Sequence, residues 1–253
     1  MSQAFLQVKD LLRVFGGVVA VNNLNFEAED GNITSVIGPN GAGKTTMFNL
    51  ITGFTKPTSG QVFLKGREIS GLKVHRIAAM GVARTFQHVQ IFPEMSVLEN
   101  VMVGRHTRSA AGLLYSFLLP PFFRKEEKKI REDAIHWLAF AGLETLADRS
   151  AGSLPLGNQR MLEIARAMAA EPSFLLLDEP ASGLNARETL VMGSLIGKIR
   201  EMGITVLLVE HDMELVMDVS DKVVVINFGT CIAQGTPAEV QVNPDVIAAY
   251  LGE

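Results

Sequence analysis

The sequence predicts an α/β fold: a parallel sheet wrapped by helices, a small antiparallel β layer at the N-terminus and an inserted α-helical subdomain. Three observations carry this. Strand-like and helix-like segments alternate in the first third and again after residue 173, which argues for a parallel sheet with crossover helices. A compact apolar strand, Ile33–Ile37, runs into a glycine-rich turn and then a helix over Lys44–Ile51. Between about Pro93 and Gly157 the apolar spacing is helical throughout.

In chain order, Phe5–Val8 and Leu24–Ala28 read as short strands around a Gly16-Gly17 turn. After Ile33–Ile37 and its helix, Thr58-Ser59-Gly60 is a turn. Gln61–Lys65 and Val82–Phe86 are strands. Val97–Val103, Glu126–Phe140 and Gly157–Ala170 are helices of the insertion. Phe174–Leu177, Thr205–Val209 and Lys222–Ile226 are strands, interleaved with helices Arg187–Met202 and Met213–Val219. Asn243-Pro244 breaks the chain before a last helix, Asp245–Leu251. The chain is expected to form one domain over 1–253. Its core is expected over 1–92 and 160–253, with a helical subdomain over 93–159.

Composition narrows the function. The 253 residues are 47% hydrophobic and 20% charged, ample for a buried core. With 23 basic and 27 acidic side chains the net charge is −4, so no nucleic-acid partner is expected. Cys231 is the one cysteine, which excludes an internal disulfide and a cysteine-built zinc site and suits a reducing cytoplasm. No signal peptide is evident at the N-terminus. The longest apolar run, Leu113–Phe123, is interrupted by Pro120 and Pro121 and falls short of the roughly 20 residues a spanning helix needs.

Gly38-Pro39-Asn40-Gly41-Ala42-Gly43-Lys44-Thr45-Thr46 matches the phosphate-binding loop G-x-x-x-x-G-K-[ST]. Glycines let the backbone curl so that successive N–H groups face phosphate oxygens, and the following helix adds its positive end. Lys44 is expected to reach the β- and γ-phosphates and the Thr45 hydroxyl to ligate Mg²⁺. Phe174-Leu175-Leu176-Leu177-Asp178-Glu179 is an apolar strand ending in two acids, at the sheet edge where ligands bind. Asp178 is expected to hold Mg²⁺ through water and Glu179 to polarise the attacking water. Together the two motifs specify a P-loop NTPase and no more. A GTPase is excluded by the lack of Asn-Lys-x-Asp for guanine.

Further features sharpen the class: Gln87 in Arg84-Thr85-Phe86-Gln87, Leu154-Pro155-Leu156-Gly157-Asn158 before an amphipathic helix, Ser182-Gly183-Leu184-Asn185 after the acid pair, and His211 after strand Thr205–Val209. Their order and spacing resemble the ATPase subunits of ABC transporters over the whole chain. Arg84–His88 followed by Ile91-Phe92, Pro180–Asn185, Glu210–Met217 and the last segment Asn243–Glu253 together look like the LivG-type ATPases of branched-chain amino-acid importers.

That resemblance implies a RecA-like core and specific roles. Gln87 looks like the glutamine that senses Mg²⁺ and the membrane partner. Pro155, Leu156, Gly157 and Asn158 stand in the signature segment that caps the ATP of a second subunit, with Asn185 of the loop after the acids beside it in trans. His211 looks like the switch histidine at the γ-phosphate, catalytic with Glu179 and Lys44. Phe15 sits where an aromatic ring stacks on adenine. The expected partners are a second ATPase subunit, two transmembrane permease subunits and, indirectly, a solute-binding protein. The expected place is peripheral, at the cytoplasmic face of the cell membrane. Pro155 and Leu156 depart from the family's Ser and Gly, and Asn158 from its Gln, so the signature hydroxyl is missing. Ile91, Phe92, Met95 and Leu98 are expected to form an exposed apolar groove for a membrane subunit. Residues 104–133 read as a solvated segment or as a contact with that subunit or with lipid head groups.

Overall fold

A computed structural model describes residues 4–106 and 120–251. In chain order its elements are β1 (Leu6–Phe15), β2 (Val18–Ala28), β3 (Ile33–Ile37), α1 (Lys44–Ile51), β4 (Ser59–Leu64), β5 (Arg67–Glu68), α2 (Val74–Ala78) and β6 (Val82–Arg84). There follow α3 (Val97–His106), α4 (Pro120–Phe140), α5 (Leu156–Met168), β7 (Phe174–Asp178), α6 (Ala186–Glu201), β8 (Thr205–Val209) and α7 (Met213–Val219). The chain closes with β9 (Lys222–Asn227), β10 (Thr230–Gly235), α8 (Pro237–Gln241) and α9 (Pro244–Leu251). Two compact units arise: one from residues 1–84, 173–182 and 189–253, the other from 85–172 and 183–188.

The first unit holds two sheets. Its six-stranded sheet runs β10-β9-β3-β8-β7-β6. All its pairs are parallel except β9–β10. Every residue of β3, β7 and β8 is buried, the pattern of strands covered on both faces. The four-stranded sheet, β2-β1-β4-β5, is antiparallel. Its inward side chains Leu6, Val8, Leu11, Leu24 and Phe26 join Met47, Phe48, Leu50 and Ile51 of α1 and Phe174 and Leu176 of β7 in one core. Phe5 meets Phe174 with ring centroids 5.5 Å apart. Each such fully buried side chain contributes about 1.5–3 kcal/mol, so this core clamps the segment that precedes and follows the phosphate loop. Ile37, Val216, Val223, Val225, Val240 and Val246 form a second cluster that seats α7, α8 and α9. Thr236 and Glu239 cap α8 reciprocally, with Pro237 in its first turn.

The second unit is helical. Val97, Leu98 and Val101 of α3, Ile130, Ala134, Trp137 and Leu138 of α4, and Leu162, Ala165 and Met168 of α5 are all buried. Leu98 is thus core and not part of an exposed groove: Leu98 and Val101 are three apart, on one helix face. Of the other three, Phe92 and Met95 are 44% and 38% exposed and Ile91 is half-buried. The unit extends beyond the expected 93–159 because α5 packs on α3 and α4, which draws residues 160–172 into it. The run Leu113–Phe123 lies largely outside the described residues. No described helix is long and apolar enough to cross a membrane.

Candidate nucleotide site

The glycine-rich loop leaves the carboxyl end of β3, between neighbours β8 and β9. Gly43 caps α1 at φ 101°, in the left-handed region. A Cβ there would strike the carbonyl of Ala20, so only glycine fits this turn. A Cβ at Gly38 would strike the carbonyl of Ile226. The loop is thus backed by two other backbones, β2 and the β9–β10 turn. The Gly229 N–H donates to the Ala42 carbonyl at 3.0 Å, and the Asn22 N–H to the Gly229 carbonyl at 2.9 Å. Pro39 and Ala42 are buried, whereas Asn40, Gly41 and Thr45 face solvent and Thr46 is half-buried.

Lys44 is 6% exposed. Its ammonium donates to the carbonyls of Gly38 at 2.5 Å and Pro39 at 2.8 Å. A cation is therefore held inside the curl of the loop, beside the N-terminal end of α1, where a polyphosphate would meet both. These residues fit a nucleotide. Among the described residues no group of three or more His, Cys, Asp or Glu is arranged to hold a metal. A divalent ion here would have to share phosphate oxygens, as Mg²⁺ commonly does.

Asp178 ends β7 and Glu179 follows it. Asp178 is 1% exposed, and its Oδ2 accepts from Arg84 Nη2 at 2.9 Å. Arg84 ends the neighbouring strand β6 and also donates to Asn49 Oδ1 at 2.7 Å and Thr52 Oγ1 at 3.1 Å. One buried guanidinium thus ties the acid strand to the helix that follows the phosphate loop. Burial lowers the Arg84 pKa, against the pull of Asp178 that raises it.

Glu179 adopts φ 50°, uncommon for a residue with a side chain. Its N–H donates to the Val209 carbonyl at 2.8 Å, and its Oε1 lies 2.8 Å from His211 Nε2. The acid and the histidine expected to act together are thus in contact, with His211 42% exposed and Glu179 11%. Behind them Glu210, 2% exposed, accepts the N–H of Ala181 at 2.6 Å and of His211 at 2.9 Å. Phe15 is 43% exposed at the end of β1, with the Arg13 guanidinium 4.2 Å from its ring centroid. Its outward position leaves a ring face that a planar base can use.

In the helical unit, Gln87 is exposed. The segment around it is held by α5: Glu163 accepts the N–H groups of Phe86 at 3.4 Å and Gln90 at 3.3 Å, and Arg160 donates to the Phe86 carbonyl at 3.2 Å. Burial raises the Glu163 pKa, partly offset by those N–H groups and by Arg166 and Arg160. Pro155 is the N-cap of α5 and offers no side-chain cap bond. Leu156 is 44% exposed and Gly157 is buried. Asn158 is half-buried. Asn185 caps α6, its Oδ1 accepting from Glu188 N at 3.1 Å and its N–H donating to Glu188 Oε2 at 3.0 Å. A Cβ on Gly157 would lie 2.7 Å from Glu188 Oε1, so the segment at 155–158 adjoins the loop at 183–188. Arg84, Glu163 and Glu210 went unassigned in the sequence. The one hint, for Arg84 and Glu210, was a charged residue placed directly beside a motif at a strand end, and Glu163, within α5, carried none.

Residues 21–182 match the ABC transporter family. Residues 230–253 match a family described as branched-chain amino acid ATP-binding cassette transporter. The high-affinity branched-chain amino acid transport ATP-binding protein BraF of Pseudomonas aeruginosa is 51% identical, with 100% of each chain covered. The protein LivG of Escherichia coli K12, of the same description, is 50% identical over 100% of each chain. Among solved structures, the ADP conformation of an ATP-binding cassette of an ABC transporter superposes with TM-score 0.87 at 32% identity, covering 99% of this chain and 100% of its own. A nucleotide-free cassette gives 0.85 at 31%, with the same coverage. The chain belongs to the ABC transporter family, as one of its ATP-binding cassettes.

Proposed function

We propose that the chain hydrolyses MgATP and that closure of two such subunits on two ATP molecules powers import of branched-chain amino acids through a pair of membrane permease subunits. The observation that carries the hydrolysis is the contact of Glu179 with His211 at 2.8 Å, in the unit that also holds the Lys44 cradle. The transported solute is inferred from the full-length relatives and from the match over residues 230–253.

Lys44 exchanges its two loop carbonyls for phosphate oxygens and neutralises their charge. The Thr45 hydroxyl, at the start of α1, and Asp178, through water, would hold Mg²⁺, with Gln87 as a further ligand. When bound, the ion would supply charge neutralisation at the phosphates. Glu179 accepts the proton of the attacking water, and His211 keeps Glu179 oriented while its exposed edge faces the γ-phosphate. Phe15 stacks on adenine. Pro155, Leu156, Gly157, Asn158 and Asn185 face the ATP held by the second ATPase subunit. Such catalysis is mainly positioning and electrostatics. The complex sits at the cytoplasmic face of the membrane, served by a solute-binding protein outside.

Two substitutions test the assignment. Lys44→Ala is expected to weaken ATP binding and abolish turnover. Glu179→Gln is expected to keep ATP binding, stop hydrolysis and trap an ATP-bound dimer on size-exclusion chromatography. Turnover by Glu179→Gln near the parent rate would overturn the role of Glu179. Uptake of labelled leucine by the complex tests the solute.

A further inference from the structure

We propose that Glu210 is a positioning residue: its single buried carboxylate clamps the loop after Glu179 to the loop carrying His211, and so sets the contact between the two side chains. The inference rests on the hydrolytic roles proposed above for Glu179 and His211.

The geometry is that of a staple. Glu210 and Glu179 follow the ends of the adjacent strands β8 and β7. Glu210 Oε1 accepts the Ala181 N–H at 2.6 Å, and Oε2 accepts the His211 N–H at 2.9 Å, with the Asp212 N–H at 3.5 Å. Ala181 lies two residues past Glu179 and is joined to it by a tight turn, in which the Ser182 N–H donates to the Glu179 carbonyl at 3.1 Å. One oxygen therefore grips each loop. Hydrogen bonds from N–H groups to a buried carboxylate are about twice as strong as neutral ones. Burial pushes the Glu210 carboxyl up, the N–H groups of Ala181, His211 and Asp212 pull it down, and the charge of Glu179 pushes it up again. The charge of Glu210 thus lies within electrostatic reach of the acid it positions. Its side chain faces backbone and not the loop of Lys44, so it acts through Glu179 and His211.

The chain after Ala181 continues into Gly183-Leu184-Asn185, of which Asn185 is assigned above to the second subunit's ATP. Without the staple the two loops move separately.

Glu210→Gln tests this in the full-length chain. The amide keeps one acceptor oxygen but turns an NH₂ toward the other backbone N–H, so one grip is lost at nearly constant volume. A misplacement near 1 Å at reacting groups costs about 100-fold in rate. The expected result is kcat for MgATP hydrolysis lowered by about that factor, KM changed by no more than about twofold, and faster amide hydrogen exchange at Ala181 or His211. In a His211→Ala background the same change should cost little more, because residues acting as a unit are non-additive. Glu210→Asp keeps both oxygens on a shorter chain and should lose an intermediate amount. Unchanged exchange at both amides, a full multiplicative loss in the His211→Ala background, or wild-type kcat in either Glu210 variant overturns the proposal. Parent-like turnover in Glu179→Gln would instead overturn the hydrolytic reading beneath it. Thermal unfolding of each variant separates a lost grip from a lost fold, and Glu210→Asp keeps the test open if Glu210→Gln does not fold.

Discussion

Replacing Arg84 with Met takes a planar cation from between two elements of the sheet unit and keeps most of its apolar stem. The side chains of Arg84 and Asp178 are only 6% and 2% exposed, 2.9 Å apart, so water cannot easily take over. The same change removes the donors to Asn49 of α1 at 2.7 Å and to Thr52, its C-terminal cap, at 3.1 Å. Removing one partner of a buried pair costs about 3–5 kcal/mol, whereas replacing both by apolar residues of similar volume is often neutral. At about 2–4 °C per kcal/mol for a chain of this size, Arg84→Met should lower Tm by roughly 6–20 °C. Asp178→Leu alone should fall in the same range. The double variant should recover much of the loss, since neither charge remains. Scanning calorimetry of the four proteins gives the coupling directly. A Tm drop below about 2 °C for Arg84→Met, or strictly additive losses, would refute the view that this pair holds the acid strand to the phosphate-loop helix.

Three other outcomes follow from the same reasoning. Because burial raises the folded-state pKa of Glu163 above its ordinary 4.5, its contribution to stability is present below pH 4.5 and is lost as pH rises through the raised value. Urea unfolding of wild type and Glu163→Gln from pH 4 upward should show the wild type losing ground over that window, and a pH-independent difference would refute it. In the assembled transporter Glu179→Gln should remove most ATPase activity and Gly157→Asp much less, since a segment with proline for the signature serine already lacks a donor worth about 10²–10³ in rate at a well-formed site; equal losses on one preparation would rule out unequal sites. Phe92→Asp should stop co-purification with the membrane subunits while nucleotide affinity stays within about twofold, as expected for an exposed apolar contact; intact assembly would refute it.

Much of the fold was legible because the central strands are buried on both faces and mostly apolar. Ile33–Ile37, Phe174–Asp178 and Thr205–Val209 are short buried runs bounded by turns, and the helices between them have room for a clear period. The antiparallel hairpin was read as two short strands because polar residues interrupt it. β1 and β2 are 10 and 11 residues long with register shifts at Val8, Leu11 and Arg13, and each shift breaks the period-two alternation. β10 escaped for a different reason: its residues are half-buried or exposed, so Thr230–Gly235 carries little contrast. α2 and α8 are five residues each, too short for periodicity, although Thr236-Pro237 followed by Glu239 announces the second. At the site, the phosphate loop was readable because its chemistry is contiguous in sequence. Arg84 with Asp178 and Glu210 with Ala181 are separated by 94 and 29 positions. Such pairings exist only once strands lie side by side.

The backbone of Glu179 has a consequence for how this protein can be altered. A left-handed conformation costs a side-chain-bearing residue about 1–2 kcal/mol, and glycine or asparagine far less. At φ 50°, the residue proposed to accept the water's proton is therefore a reservoir of unclaimed stability. A library screened for heat resistance alone would enrich Gly or Asn at position 179 and return sturdier chains that no longer turn over. Stability and turnover need to be selected together there, and a hardy natural variant lacking this glutamate would be better read as a nucleotide-gated scaffold than as a motor.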